Sequence, residues 1–202
     1  MDLLTLIATC VPMVAPTTMK AIVLEESRGH PYAIHDGETH RALFPRSRDE
    51  AVATARDLID AGTRIDAGLA QINSENWAWL GLDPVSVFDP CTNLAAAETV
   101  LIGTYTTAPF TLDAALSRYN SGDAELGVRN GYVDRVKHWM AKPPPDRDYS
   151  APGQRVSDQA TIPVTARIQL DPDTGSPTTQ PEGQPKTPPW RFTPVLDGFG
   201  NG

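Results

Sequence analysis

From Leu3 to Trp139, apolar side chains recur every three to four positions, the spacing of helices that turn one face to a core. Leu3, Leu4 and Ile7 mark a first amphipathic helix. A second is predicted over Pro16–Ser27, with Pro16 at a favoured first-turn position. The pattern then changes. Pro31-Tyr32-Ala33-Ile34 leads into a turn-rich stretch, and Asp36-Gly37 is a hairpin signal between short strands. Ser47-Arg48-Asp49-Glu50 has the form of a capping box and opens a helix with Val52, Ala55, Leu58 and Ile59 inward, stopped by Gly62. Asp66 is placed to cap a short helix through Ile72. Asn93 is placed to cap a longer one carrying Leu94, Ala97, Leu101 and Tyr105. Thr111 precedes Leu112, Ala115, Leu116 and Tyr119 at helical spacing, and Asn120-Ser121-Gly122 ends that helix. The last helix is predicted from Gly131 to Trp139, with Tyr132, Val133 and Val136 on one face. The fold class expected is mainly α, with a small β-hairpin region.

The helical phase of Pro16–Ser27 singles out one residue. Met19, Ile22, Val23 and Glu26 recur at i, i+3, i+4 and i+7, so Glu26 lies on the apolar stripe, while Glu25 points roughly 100° away. A carboxyl held against a core has a raised pKa and keeps its proton, as a general acid requires. The other reading of the same helix has it slightly out of phase, with Glu26 in solvent at a frayed end.

Beyond Lys142 the periodicity stops. Residues 143–202 hold 12 of the 19 prolines and open with Pro143-Pro144-Pro145. Such a stretch buries too little apolar surface to offset the entropy of ordering it, so a disordered Pro-rich tail is expected after a domain over 1–142. Trp190-Arg191-Phe192 and Phe199 make its end more apolar, suiting a docking segment or incidental tail aromatics.

The 202 residues suffice for one domain with a core plus this tail. The formal net charge of −8 argues against a nucleic-acid partner. No run approaches the roughly 18 apolar residues of a membrane span. MDLLTLIATC carries Asp2 in place of a basic n-region, so an export signal is not evident. Cys10 and Cys91 are either a long-loop disulfide of an exported protein or buried thiols of a cytosolic one. His30, His35, His40 and Asp36 lack the spacing of a structural metal site and read as a solvated turn, so no metal and no cofactor is expected. Trp77 and Trp79 suit either sugar stacking or packing.

Four short segments, in order, carry a resemblance. They are Glu26-Ser27; Asp66-Ala67-Gly68-Leu69-Ala70-Gln71-Ile72-Asn73; Ala115-Leu116-Ser117-Arg118-Tyr119-Asn120-Ser121-Gly122; and Gly131-Tyr132-Val133. Together they resemble the soluble lytic transglycosylases with their goose-type-lysozyme-like domain. Cys10-Val11-Pro12, His30-Pro31-Tyr32-Ala33-Ile34, Glu50–Ala55 and Phe88–Leu94 add a likeness to the VirB1-type branch of bacterial type IV secretion systems. The resemblance covers about residues 3–140 and implies an α+β lysozyme-like fold. It implies Glu26 as a lone acid and base, and peptidoglycan glycan strands as substrate, opened with a 1,6-anhydro product. It implies work in the periplasm, with secretion-system components as partners reached through the tail. It also implies that Ser27, Gln71, Asn73, Tyr119, Asn120 and Tyr132 line the cleft. For five of them a plain structural role is open as well: a helix-terminal hydroxyl for Ser27, a solvent-exposed amide for Gln71, a helix stop for Asn120, core packing for Tyr119 and Tyr132. Ala70 stands where the family has methionine, and Arg118 where a small residue is common. Two other readings remain: a hydrolytic muramidase using Glu26 and Asp66, or a glycan-binding assembly factor without catalysis.

Overall fold

The computed structural model describes residues 1–149; the remainder of the Pro-rich stretch, with its aromatic end, lies outside the described residues. Helix α1 spans Leu3–Cys10, capped by the Asp2 side chain, which accepts from the Thr5 N–H. Helix α2, Pro16–Ser27, has the predicted bounds and ends where Arg28 and Gly29 turn left-handed (φ 53° and 74°). It is buried well beyond its apolar stripe, with Thr18 to Leu24 all inside, and forms the central helix. Even Lys20 is enclosed, its ammonium donating to the carbonyls of Met140 (3.0 Å) and Lys142 (2.6 Å) at the end of the last helix. A lysine at a helix C-terminus meets both the free carbonyls and the negative dipole end.

A four-stranded antiparallel sheet follows. Its strands are β1 (Ile34–Asp36), β2 (Arg41–Leu43), β3 (Ile65–Ala67) and β4 (Ile72–Asn73), in the order β2-β1-β3-β4. The expected Asp36-Gly37 hairpin is β1–β2, with helix α3 (Arg48–Asp60) between β2 and β3. Ser47 caps α3 through the Glu50 N–H, while the Glu50 carboxylate reaches back to the Arg46 N–H at 2.8 Å. The register sets two rows across the sheet. One is Leu43, Ile34, Ala67 and Ile72; the other is Ala42, His35, Asp66 and Asn73. Because side chains alternate along a strand, the first row is apolar on one face and the second polar on the other.

Two expected elements are corrected here. Asp66 does not cap a helix running to Ile72. It lies in β3, and residues 68–71 turn the chain into β4 with Gly68 (φ 84°) and Gln71 (φ 48°) both left-handed, which no helix tolerates. Asn93 does not cap the next helix either. Helix α5 runs Pro90–Tyr105 with Asp89 as its cap and Pro90 in its first turn, and Asn93 lies inside it. Tyr105, at its far end, is exposed.

The remaining helices are α4 (Trp77–Leu80), α6 (Leu112–Ser121, capped by Thr111 and ended by Gly122), α7 (Leu126–Arg129) and α8 (Tyr132–Met140). Helix α8 packs along α2, and α6 along α5. A Cys10–Cys91 disulfide joins the end of α1 to the start of α5. The packed chain runs past the composition break at Lys142. Tyr149 is buried, its hydroxyl donating to Gly29 O at 2.9 Å and its N–H to Met1 O at 2.8 Å.

Candidate active site

Glu26 occupies the last turn of α2 and is only 4% exposed. Of its two readings, burial on the core side therefore holds. Tyr132, in the first turn of α8, donates its hydroxyl proton to Glu26 Oε1 at 2.5 Å. Glu26 Oε2 makes no hydrogen bond among the described residues. Glu25 points elsewhere, as its helical phase requires, and is held by Arg135 Nε (2.5 Å) and Trp139 Nε1 (3.0 Å).

Burial is the largest influence on Glu26 and pushes its pKa up to about 8. The Tyr132 hydrogen bond pulls the other way, and the negative charges of Glu25 and Asp66 push upward again. Burial likewise holds the Tyr119 and Tyr132 hydroxyls well above the usual phenol range, so both stay donors. The site is thus a protonated carboxyl with one oxygen anchored and the other free.

The turn at residues 68–71 is clamped beside Glu26 from three directions. Ser27 donates its hydroxyl to Leu69 O at 2.7 Å, and Tyr119 donates to Ala70 O at 2.9 Å. Asn93 accepts from the Ala70 N–H at 2.8 Å and donates to Ala67 O and Val87 O at 3.0 and 2.9 Å. Gly68 leaves no room for a side chain: a Cβ would overlap the Asn93 amide and stand 2.8 Å from Val87 O. Gln71 folds back to donate Nε2 to Ala33 O (3.0 Å) and Gly68 O (2.9 Å), leaving its buried Oε1 without a partner. Asn120 accepts from Asn130 Nδ2 at 2.9 Å, and its own Nδ2 is buried without a partner.

The polar row of the sheet completes the site. Asp66 is 5% exposed; its Oδ1 accepts from Asn73 Nδ2 at 2.7 Å and its Oδ2 lies 3.3 Å from His35 Nδ1. The charge of Asp66 is felt at both Glu26 and Tyr119.

Of the residues singled out in the sequence, Ser27, Gln71 and Tyr119 meet at the turn of residues 68–71, Tyr132 meets Glu26, Asn73 meets Asp66 and Asn120 meets Asn130. The Ser27 and Tyr119 hydroxyls serve backbone carbonyls, and Asn73 serves Asp66 and the Glu75 N–H. The reading of His30, His35, His40 and Asp36 as a solvated turn is corrected for His35 and Asp36, which are buried; His30 is half-buried against Tyr32 and Phe44, and His40 is exposed. Among the described residues no group of three His, Cys, Asp or Glu is placed to hold a metal ion. Trp77 is core, its Nε1 donating to Ile72 O at 3.0 Å. Arg118 spends its guanidinium on the carbonyls of Thr104, Thr107 and Ala108 at the end of α5.

Asn93 and His35 were missed as site residues. Asn93 had a signal: it precedes Ala97 by one helical turn, a polar group on an apolar face, as Glu26 was on α2. His35 had none, because its partner Asp66 is a cross-strand neighbour.

The profile of the transglycosylase SLT domain matches residues 4–141. Among curated proteins, the chain is 40% identical over 134 residues to "Protein virB1" of Agrobacterium fabrum (strain C58), covering 63% of this chain and 55% of that protein. A "Protein virB1" of Rhizobium radiobacter is 38% identical over the same length, covering 63% of this chain and 56% of its own. The "Type IV secretion system protein virB1" of Brucella abortus is 36% identical over 146 residues, covering 66% of this chain and 61% of its own. The chain thus spans between half and two thirds of the length of these relatives. No solved structure matches.

Proposed function

This chain belongs to the transglycosylase SLT domain family, and on that premise we propose that it is a peptidoglycan lytic transglycosylase in which Glu26 acts alone as acid and then base. The observation that carries the reading is the buried Glu26 carboxyl, raised to about 8, with Oε1 held by Tyr132 and Oε2 unengaged. The free oxygen delivers its proton to the glycosidic oxygen between N-acetylmuramic acid and N-acetylglucosamine, and the bond from that oxygen to C1 breaks. The carboxylate left behind is stabilised by the Tyr132 hydroxyl. It then takes the proton of the muramic C6 hydroxyl as O6 closes on C1. Glu26 ends protonated, the ring is 1,6-anhydro, and no water enters.

Gln71 Oε1 and Asn120 Nδ2 are a buried acceptor and a buried donor without a partner among the described residues, and we assign them to the N–H and C=O of a substrate N-acetyl group. Ser27, Tyr119 and Asn73 hold the turn and the polar row from which that recognition is made.

The place of action we infer is the periplasm, where a wall substrate and the Cys10–Cys91 disulfide are both at home. The name of the Brucella relative supports a role in a type IV secretion system, with local opening of the wall as the task. We assign contacts with other components of that system to the Pro-rich stretch. Among the described residues no helix is long and apolar enough to cross a membrane.

Product masses from purified sacculi test the mechanism, with Glu26→Gln as control. Anhydro ends, lighter by one water than reducing ends, are expected from the wild type and none from the variant. Asp66 favours a second reading, because its charge reaches Glu26: reducing ends only would make the protein a hydrolytic muramidase with Asp66 activating water. A wild type that binds glycan without cleaving it would leave the role of a binding and assembly factor.

A further inference from the structure

His35 stands in the middle of β1, in the polar row Ala42–His35–Asp66–Asn73. It is 2% exposed. Its Nδ1 lies 3.3 Å from Asp66 Oδ2, and its Nε2 is buried with no hydrogen-bond partner among the described residues. Among the described residues the imidazole's hydrogen-bond contact is therefore with Asp66. A buried ring nitrogen without a partner is unfavourable, and an apolar side chain at this position would avoid it. The gain that offsets it has to lie at Nδ1.

Asp66 is gripped from both neighbouring strands: Asn73 of β4 donates to Oδ1 at 2.7 Å, and His35 of β1 meets Oδ2. A carboxylate held at both oxygens cannot rotate about its last bond, so the charge that acts on Glu26 and Tyr119 keeps a fixed place. The other charged groups that act on Glu26 are Glu25 and Arg135, which are paired with each other through α8.

We propose that His35 is a positioning residue of this site, donating Nδ1–H to Asp66 and so fixing the Asp66 carboxylate on the polar face of the sheet. The proposal rests on the reading of Glu26 as the catalytic acid. His35 itself touches neither substrate nor reacting atoms; it acts through Asp66.

The test uses the full chain and two substitutions. His35→Leu removes the donor, whereas His35→Asn restores an amide N–H near the position of Nδ1. On isolated glycan strands, His35→Leu is expected to lower kcat by about 10-fold to 100-fold, as misplacement of a site group does, with KM little changed. His35→Asn should recover most of that loss. In an Asp66→Asn background, His35→Leu should cost nothing further, because the two residues act as one unit. A His35→Leu enzyme with wild-type kcat, equal losses in both His35 variants, or additive losses with Asp66→Asn would each overturn the proposal.

A second measurement does not depend on cleavage. The imidazole ¹⁵N spectrum of the wild type should show the proton on Nδ1, with the Nδ1 resonance shifting in Asp66→Asn. A bare Nδ1, or one indifferent to Asp66, would overturn the arrangement. An inactive wild type with the expected ¹⁵N spectrum would instead sink the proposed function and support the His35–Asp66 contact.

Discussion

Tyr132 donates its hydroxyl proton to Glu26 Oε1 across 2.5 Å and 106 positions of sequence. One short contact between α2 and α8 thereby does two things. It fixes which carboxyl oxygen is bound and which is free, and it stabilises the charged form that appears after proton transfer. It also moderates the upward push of burial on the Glu26 pKa.

Tyr132→Phe should therefore raise the Glu26 pKa above its present value of about 8, because the lost hydrogen bond favoured the ionised form. The alkaline limb of kcat moves to higher pH, while kcat itself falls by about 10-fold to 100-fold with the loss of a bond to a charged group. A pH–rate profile reads both effects. An unmoved alkaline limb would contradict the assignment of that limb to Glu26.

Glu26→Gln should lower activity by about 10²- to 10⁴-fold and yet stabilise the fold. The folded-state pKa is raised from 4.5 to about 8, so the native carboxyl stays protonated over a range where the unfolded one is ionised. Stability is then greatest below 4.5 and declines as pH rises towards 8, by ~1.4 kcal/mol per unit. The variant escapes that decline. Its Tm advantage over wild type should widen from pH 5 to pH 8, and parallel Tm curves would count against a buried, protonated Glu26.

Asn93→Ala removes the support of the turn that carries Gln71. Ala67 O, Val87 O and the Ala70 N–H lose their partner in the interior. A loss of about 2–5 kcal/mol in urea unfolding is expected, with weakened glycan binding. Gly68→Ala should be at least as damaging, since the added Cβ meets the Asn93 amide at a φ of 84°. An Asn93→Ala protein of wild-type stability would mean that the turn holds itself.

Reduction of Cys10–Cys91 opens a loop with a sequence separation of 81 residues. The chain-entropy model puts the loss at about 4–5 kcal/mol. Urea unfolding with and without reductant measures it, and thiol titration of denatured protein should find no free thiol before reduction.

Tyr149→Ala should cost about 3–5 kcal/mol if Tyr149 is part of the domain, as its 1% exposure and its bond to Gly29 indicate. A neutral substitution would return the domain boundary to Lys142, where composition placed it.

The helices were legible because their signals are local. Pro16, Ser47, Thr111, Gly122 and Gly131 mark helix ends through the conformation of the chain at those positions. Periodicity put Glu26 on the apolar stripe and turned Glu25 away from it, and in the structure Glu26 is buried while Glu25 is paired with Arg135 and Trp139. The failures were also local in origin. Asp66 is a good helix cap by residue type, yet the strand pairing with β1 and β4 overrode that preference. Asn93 has the same preference, and the better cap lay four residues earlier at Asp89.

By itself the sequence determined a mainly helical domain, a carboxyl at position 26 in phase with an apolar stripe, and four motif segments in order. Those follow from helical phase, end signals and motif order, all of which act over a few residues. Only the tertiary structure decided how the carboxyl is held. The Tyr132 hydroxyl, the three clamps on the turn at residues 68–71, and the His35–Asp66–Asn73 row join residues far apart in the chain. A raised pKa needs water excluded from every side at once, and that depends on how helices and sheet close around Glu26 rather than on the residues beside it in sequence.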